Sequence, residues 1–235
     1  MEASGPRSGT QESWVGAPIQ RAKTTAEEVE ERLILAIARG TKSPGERVTE
    51  NEVAAALNVS RVPAREAMQK LQLRGILVGA PEQRGLRVAD YSQQRIAELY
   101  ELRLAIETII FRHVMRPGHD RAPLIAELNE ILKTMGALSG SGDLVALGLV
   151  DLDFHRAVAR HSGNELAAEI WEGLAQHMLI VFCRDWADAP DRTGEVDLHA
   201  RLVEFIRKGD AGDIHAFLLN HFSPPTERVP PPAGT

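Results

Sequence analysis

Residues 25–89 are divided so closely by helix and turn signals that few folds remain open to them. Thr25-Ala26-Glu27-Glu28 reads as a capping box, in which a hydroxyl and a glutamate three residues later satisfy amide groups at a helix start. Val29, Leu33, Ala36 and Ile37 then form an apolar stripe, and Gly40 can end that helix in the left-handed conformation. Pro44-Gly45 predicts a turn. A second capping box, Thr49-Glu50-Asn51-Glu52, opens a short helix with Val53, Ala56 and Leu57 inward. Asn58-Val59 is a tight connection, and Ser60 caps a third helix in which Pro63 is tolerated because it lies in the first turn. Ala64, Ala67, Met68 and Leu71 face inward there, and Gly75 ends it. Leu77-Val78-Gly79 and Leu86-Arg87-Val88 read as two strands joined by the polar loop from Ala80 to Gly85. Helix, short helix, tight turn, helix and hairpin together predict a winged helix-turn-helix.

The outer face of the third helix suits a DNA major groove of about 12 Å. Arg61 and Arg65 are four apart and share that face, and Gln69 continues it. Arginine's planar fork pairs with guanine or phosphate. Ser60 sits at the helix start, where an anion is also favoured, and Arg84 with Gly85 forms a wing that reaches the backbone or minor groove. The same arginines could equally be a solvated helix face. The whole chain carries a net charge of −6. From Ser60 to Asp90, however, Arg61, Arg65, Lys70, Arg74, Arg84 and Arg87 stand against Glu66, Glu82 and Asp90, so 6 − 3 gives +3. DNA binding needs a basic face, not a basic protein.

The stretch from Ser43 to Leu77 resembles the DNA-binding domain of the GntR family of bacterial regulators. The resemblance is carried by Pro44, Gly45, Glu52, Val59, Ser60, Arg61, Pro63, Arg65, Glu66 and Ala67, followed by Leu71 and Gly75. Val62 and Ala64 differ slightly from the usual residues. The resemblance implies that Arg61 and Arg65 contact bases or phosphates and that Gly85 lies at the wing tip.

Beyond Asp90-Tyr91-Ser92 the pattern changes to about six helical segments, for which an antiparallel bundle is the simplest architecture. Ile96, Leu99, Leu102, Ile106 and Ile110 carry the first apolar stripe. The others are expected over about 121–138, 143–160, 165–183, 196–207 and 211–221. The fold class expected is therefore mainly α. The domains would be a disordered arm over 1–24, a winged helix-turn-helix over 25–91, a six-helix bundle over 92–222 and a proline-rich tail over 223–235. A length of 235 residues and a hydrophobic fraction of 43% suffice for two small cores. No run approaches the roughly 18 apolar residues of a membrane span, and the polar start lacks a signal-peptide pattern. A cytoplasmic protein with no membrane partner is expected. The lone Cys183 excludes an internal disulfide and a thiolate zinc cluster, and reads as a small core residue.

All eight histidines fall between His113 and His221. Asp151 and His155 are four apart on one helix and can clamp a divalent ion together. His199 and His221 lie in apolar patterns on later helices, where a buried imidazole needs a partner. Each histidine taken alone is more often structural or exposed than a ligand. His119-Asp120 looks like a hydrolase dyad but follows Pro117-Gly118 and belongs in a loop.

Residues 92–222 resemble the FCD effector domain of the FadR branch of GntR regulators. The matching pieces are Glu101-Leu102-Arg103 with Glu107, Asp151-Leu152-Asp153-Phe154-His155, Ser162-Gly163-Asn164, His199, Gly209-Asp210 and His221. The resemblance implies Asp151, His155, His199 and His221 as metal ligands, with zinc first and nickel or manganese next, because nitrogen-rich ligation suits all three. It also implies Arg103 and Asn164 at an effector that completes the coordination, a small carboxylate. An alternative for Arg103 is a surface ion pair with Glu107. Together these features predict a ligand-responsive transcriptional regulator that binds a pseudo-palindromic double-stranded operator as a homodimer. The competing readings are a metal-dependent hydrolase fused to a DNA-binding module, and a purely structural metal.

Overall fold

A computed structural model describes residues 23–79, 85–187, 192–208 and 211–223. Most of the expected arm, the wing loop Ala80 to Arg84, Gly209-Asp210 and the tail beyond Ser223 lie outside the described residues.

The N-terminal part comprises α1 (Thr25–Ala38), β1 (Arg47–Val48), α2 (Glu50–Leu57), α3 (Arg61–Leu73), β2 (Leu77–Gly79) and β3 (Leu86–Val88). The first capping box is shifted by one residue from the sequence expectation. Thr24 is the N-cap: its hydroxyl accepts from the Glu27 amide at 3.2 Å, and its own amide donates to the Glu27 carboxylate at 2.8 Å. Two adjacent threonines face two adjacent glutamates, so spacing alone cannot choose between them. Thr49 caps α2 as expected, accepting from the Glu52 amide. Within α2, Ala54 rather than Ala56 is buried beside Val53. Asn58 takes the left-handed conformation (φ 52°) between α2 and α3, a position its short polar side chain tolerates.

The sequence missed β1. It pairs antiparallel with β3, which also pairs with β2, giving a three-stranded sheet of order β1-β3-β2. In this register Leu77 lies opposite Val88, and both are buried under α3. Leu71 and Ile76 are also fully enclosed. Each such side chain contributes about 1.5–3 kcal/mol relative to leaving it in water.

The C-terminal part is the expected set of six helices: α4 (Gln93–Val114), α5 (Ala122–Leu138), α6 (Leu144–His161), α7 (Glu165–Asp185), α8 (Thr193–Lys208) and α9 (Ile214–Phe222). Helix α7 is central. It packs against α4 and α6 and also reaches α1 in the other domain. By length and composition α7 could cross a membrane, but 61% of its most apolar window is buried inside the protein, as a core helix requires. A Cβ at Gly148 of α6 would stand 3.1 Å from the Leu179 side chain, so the missing methyl group lets α6 and α7 close. Cys183 is buried, and desolvation pushes its thiol up to about 11, which suits a core residue and not a nucleophile.

The apolar stripe expected along α4 is rotated at one position. Leu102 is 60% exposed, whereas Arg103 beside it is 2% exposed. An arginine thus takes the inward place that periodicity gave to a leucine.

Candidate functional site

Helix α3 presents Arg61, Arg65 and Gln69 on its exposed face, while Ala64, Ala67, Met68 and Leu71 anchor the opposite one. Ser60 precedes the helix in extended geometry but makes no side-chain capping bond. The sequence reading missed the carboxylate that organises this face. Glu50, the first residue of α2, takes Arg65 in a two-point grip: Nε donates to Oε1 at 3.0 Å and Nη2 donates to Oε2 at 3.1 Å. Arg61 Nη2 donates to the same Oε2 at 3.4 Å. The hydrogen bond from Arg65 is the main reason the Glu50 carboxyl sits below its usual range, and the same bond raises the arginine. Arg47, Asn51 and Gln72 line the same groove, with Gly85 at its edge. Gly85 holds φ at 117° with the Arg47 side chain against it, so a side chain there would be both strained and crowded. Arg84 lies outside the described residues.

In the bundle, α6, α8 and α9 bring Asp151, His155, His199 and His221 into one buried chamber. Ligating atoms of the three histidines lie within 4.8 Å of one another, and so do those of Asp151, Glu195 and His199. The ring centres of His155 and His199 are 5.4 Å apart, those of His155 and His221 5.6 Å, and those of His199 and His221 4.7 Å. Asp151 Oδ1 is 3.1 Å from His199 Nε2. Glu195 was not foreseen as a chamber residue. Its spacing of four from His199 on α8 was the available signal.

The chamber's hydrogen bonding fixes which atoms face inward. His199 Nδ1 lies 2.8 Å from the Glu195 carbonyl, which can only accept, so Nδ1 carries a proton and Nε2 is the atom turned to Asp151 and the chamber. His155 Nδ1 lies 2.7 Å from Glu107 Oε2. His155 Nε2, His199 Nε2, Asp151 Oδ2 and Arg103 Nη2 are all buried without a well-aligned partner. Buried polar atoms without partners are costly. Three imidazoles and a carboxylate converging with such atoms fit a divalent cation of the zinc, nickel or manganese kind.

Electrostatics set the two histidines apart. Burial lowers His155, with Glu107 opposing, so its neutral ligating form is favoured. Burial also disfavours the charged form of His199, but Asp151 beside it overrides this and raises the group. Burial would raise Asp151 and Glu107, yet His199 overrides it for the first and His155 with Arg103 for the second. Both remain charged, Glu107 at about 2.

Arg103 is not on the surface. Its Nε donates to Glu107 Oε1 at 2.8 Å, and its guanidinium lies over the Phe222 ring at 4.1 Å and the Phe182 ring at 5.1 Å. The ion pair with Glu107 therefore exists, but inside the chamber, with Nη2 3.7 Å from Asp151 Oδ2. Trp171 of α7 closes one wall. It stacks on His155 with ring centres 6.3 Å apart and donates from Nε1 to Glu107 Oε1 at 2.9 Å. Asn164 caps the start of α7. Its Oδ1 caps α7 by accepting from the Ala167 amide, and its Nδ2 meets His113. The Ser162-Gly163-Asn164 run is a turn between α6 and α7, with Gly163 at φ 68°. His119 and Asp120 lie in the expected loop, where Asp120 accepts from the Ala122 amide.

A polar seam joins the two halves. Arg74, the C-cap of α3, pairs with Glu30 of α1 and donates to Gln176 of α7 at 2.9 Å. Arg95 Nη2 donates to the Gly75 carbonyl at 2.9 Å, and Arg184 donates to the Tyr91 carbonyl at 3.0 Å.

Comparison with known proteins bears on both halves. Residues 25–88 match the bacterial regulatory proteins of the gntR family, and residues 98–223 match the FCD domain. Over 211 residues the chain is 28% identical to the gluconate operon transcriptional repressor of Bacillus subtilis (strain 168), covering 88% of this chain and 85% of that protein. It is 27% identical over 198 residues to the probable D-xylose utilization operon transcriptional repressor of Paenarthrobacter nicotinovorans, covering 84% and 85%. Among solved structures, E. coli McbR/YncC has the same fold with a TM-score of 0.72 at 20% identity, covering 84% of this chain and 93% of that one. A putative GntR regulator from Rhodococcus sp. RHA1 gives 0.67 at 24% identity, covering 83% and 92%. These relatives are regulators and not enzymes, which removes the hydrolase alternative. The chain therefore belongs to the GntR family of bacterial transcriptional regulators and carries an FCD effector-binding domain in its C-terminal half.

Proposed function

We propose that the chain is a metal-containing, ligand-responsive regulator that binds a pseudo-palindromic operator as a homodimer and senses a small carboxylate. The observation that carries this reading is the chamber. Asp151, His155, His199 and His221 converge there, and the neighbouring Arg103 guanidinium has its Nη2 buried without a hydrogen bond, 3.7 Å from Asp151 Oδ2. A bound divalent cation supplies positive charge and open coordination positions for an anionic oxygen. Arg103 would hold the same carboxylate by charge-assisted hydrogen bonds, with the Phe182 and Phe222 rings fixing its plane. One relative governs a gluconate operon, and gluconate is a small carboxylate.

Ser60, Arg61, Arg65 and Gln69 form the operator-reading face, with Gly85 and Arg84 in the wing. The domain boundaries implied are 25–91 for DNA reading and 92–222 for sensing. Dimerisation is supported by an apolar surface on adjacent helices. Leu102 and Ile109 of α4 and Leu166 and Ile170 of α7 are 60%, 44%, 67% and 54% exposed. Contiguous apolar surface of this kind marks interaction sites. Two copies joined there would carry two recognition helices, as a two-fold operator requires. A protein that reads chromosomal DNA in this way works in the cytoplasm.

The test is a thermal-shift titration of the full chain, first with zinc alone and then with zinc and a panel of small carboxylates including gluconate. A ligand that binds only the folded state raises the melting point. Zinc should raise it, at least one carboxylate should raise it further, and Arg103→Gln should abolish the second rise. A panel that moves the wild-type chain no further than zinc does would favour a purely structural metal.

A further inference from the structure

The carboxylate of Glu50 stands where a DNA-binding face has most reason to exclude negative charge. It lies in the groove between α2 and α3, lined by Arg47, Arg61, Arg65 and Gln69. If this face worked by charge attraction alone, Glu50 would only weaken it, since each neutralised phosphate adds affinity whatever the sequence. Helix geometry does not require it either. Thr49 already caps α2, and Glu52 supplies a second acid in the first turn.

What Glu50 does is orient. It grips the side edge of the Arg65 guanidinium through Nε and Nη2. A guanidinium has five N–H groups in one plane. With the side edge held, Nη1 and the outer hydrogen of Nη2 still form an end-on fork, the pair that matches guanine O6 and N7. Arg65 therefore keeps its base-reading edge and loses its freedom to swing towards a phosphate. Arg61, four residues earlier, is held by the same carboxylate at 3.4 Å.

We propose that Glu50 is a specificity-determining residue of the operator face: it positions Arg65 and Arg61 for base edges and repels the phosphate backbone, lowering affinity for DNA of arbitrary sequence. This rests on the operator-binding reading above. Selectivity arises here from a repulsive element as well as an attractive one.

The test uses the full-length chain and a library of randomised duplexes. Sequences enriched by the wild-type protein supply one selected duplex, and its scrambled counterpart serves as the non-specific probe. Both are titrated with wild type, Glu50→Gln and Glu50→Asp across a range of salt concentrations. Thermal melting verifies that each variant is folded. Glu50→Gln should bind the scrambled duplex more tightly than wild type does. Its ratio of selected to scrambled affinity should fall roughly tenfold, the scale of one base-pair preference. Glu50→Asp keeps the charge but shortens the reach, so it should lose ratio without gaining affinity for scrambled DNA. A wild type that enriches a sequence while both variants keep its ratio within twofold would overturn the role of Glu50 alone. A wild type that enriches no sequence would overturn the operator-binding reading, and this proposal with it.

Discussion

His177 Nε2 donates to the backbone carbonyl of Arg74 at 2.8 Å, tying the middle of helix α7 to the end of the recognition helix. The carbonyl can only accept, so Nε2 carries the proton and Nδ1 accepts from the Tyr91 hydroxyl 3.0 Å away. Six residues earlier on the same helix, Trp171 lies against His155 in the chamber. One helix thus touches both the buried chamber and the end of α3.

This seam should depend on pH. Burial holds the folded His177 below its ordinary value, with the nearby Arg95 charge adding to the effect and the bond to the Arg74 carbonyl opposing it. An unfolded histidine titrates near about 6.5. The folded group is depressed, so its contribution to stability is present above that value and is lost as pH falls through the folded one. The melting temperature of wild type should exceed that of His177→Gln by about 2–4 °C at pH 8, the shift for about 1 kcal/mol in a chain of this size. The gap should close towards pH 5. A melting series at constant ionic strength measures it; a gap that widens on acidification would show the wrong sign.

Arg65→Ala should weaken binding of the selected duplex by roughly 10- to 100-fold while changing affinity for scrambled DNA much less. Gln69→Ala on the same face should act in the same direction. A gel-shift or anisotropy titration reads both, and unchanged selected-duplex affinity in Arg65→Ala would remove α3 from base reading.

The exposed leucine and isoleucine on α4 and α7 should be covered by a second copy. Leu102→Glu combined with Ile170→Glu places charge in that surface without disturbing the core, since both side chains already face solvent. Sedimentation equilibrium should find a dimer for wild type and a monomer for the double variant. The variant should also bind the selected duplex far more weakly, because each half-site would then be read separately. A variant that remains dimeric would place the interface elsewhere.

Local signals made most of the fold legible. The Thr49 cap, the Pro44-Gly45 turn and the strands at Leu77–Gly79 and Leu86–Val88 depend on neighbours in sequence, and they appear where the residues place them, whereas the first cap falls on Thr24 and Ser60 makes no capping bond. The misses have non-local causes. The two residues of β1 carry too little pattern to read as a strand, and they pair with β3 some forty positions later. Leu102 was expected inward because periodicity assigns every apolar residue to the core. The inward place goes to Arg103, whose burial depends on Glu107 one turn on and Asp151 on another helix. Glu50 reads locally as a first-turn acid, and its grip on Arg65 exists only once α2 and α3 are folded together. The four candidate ligands were visible because resemblance supplied positions that spacing alone left open. Trp171 joins them only through packing, and Glu195 through its spacing of four from His199.

The most direct test of the chamber is the metal content of the purified full-length chain, measured by mass spectrometry after loading with zinc and exhaustive dialysis. Wild type should retain about one zinc per chain, consistent with four protein ligands on one ion. His199→Ala and His221→Ala should retain little. Chelation of wild type should lower its melting temperature by several degrees, since loss of a ligand held at 100 times its dissociation constant removes about 2.7 kcal/mol. Wild type that retains no zinc, nickel or manganese, or histidine variants that retain as much metal as wild type, would contradict a metal centre built from these residues.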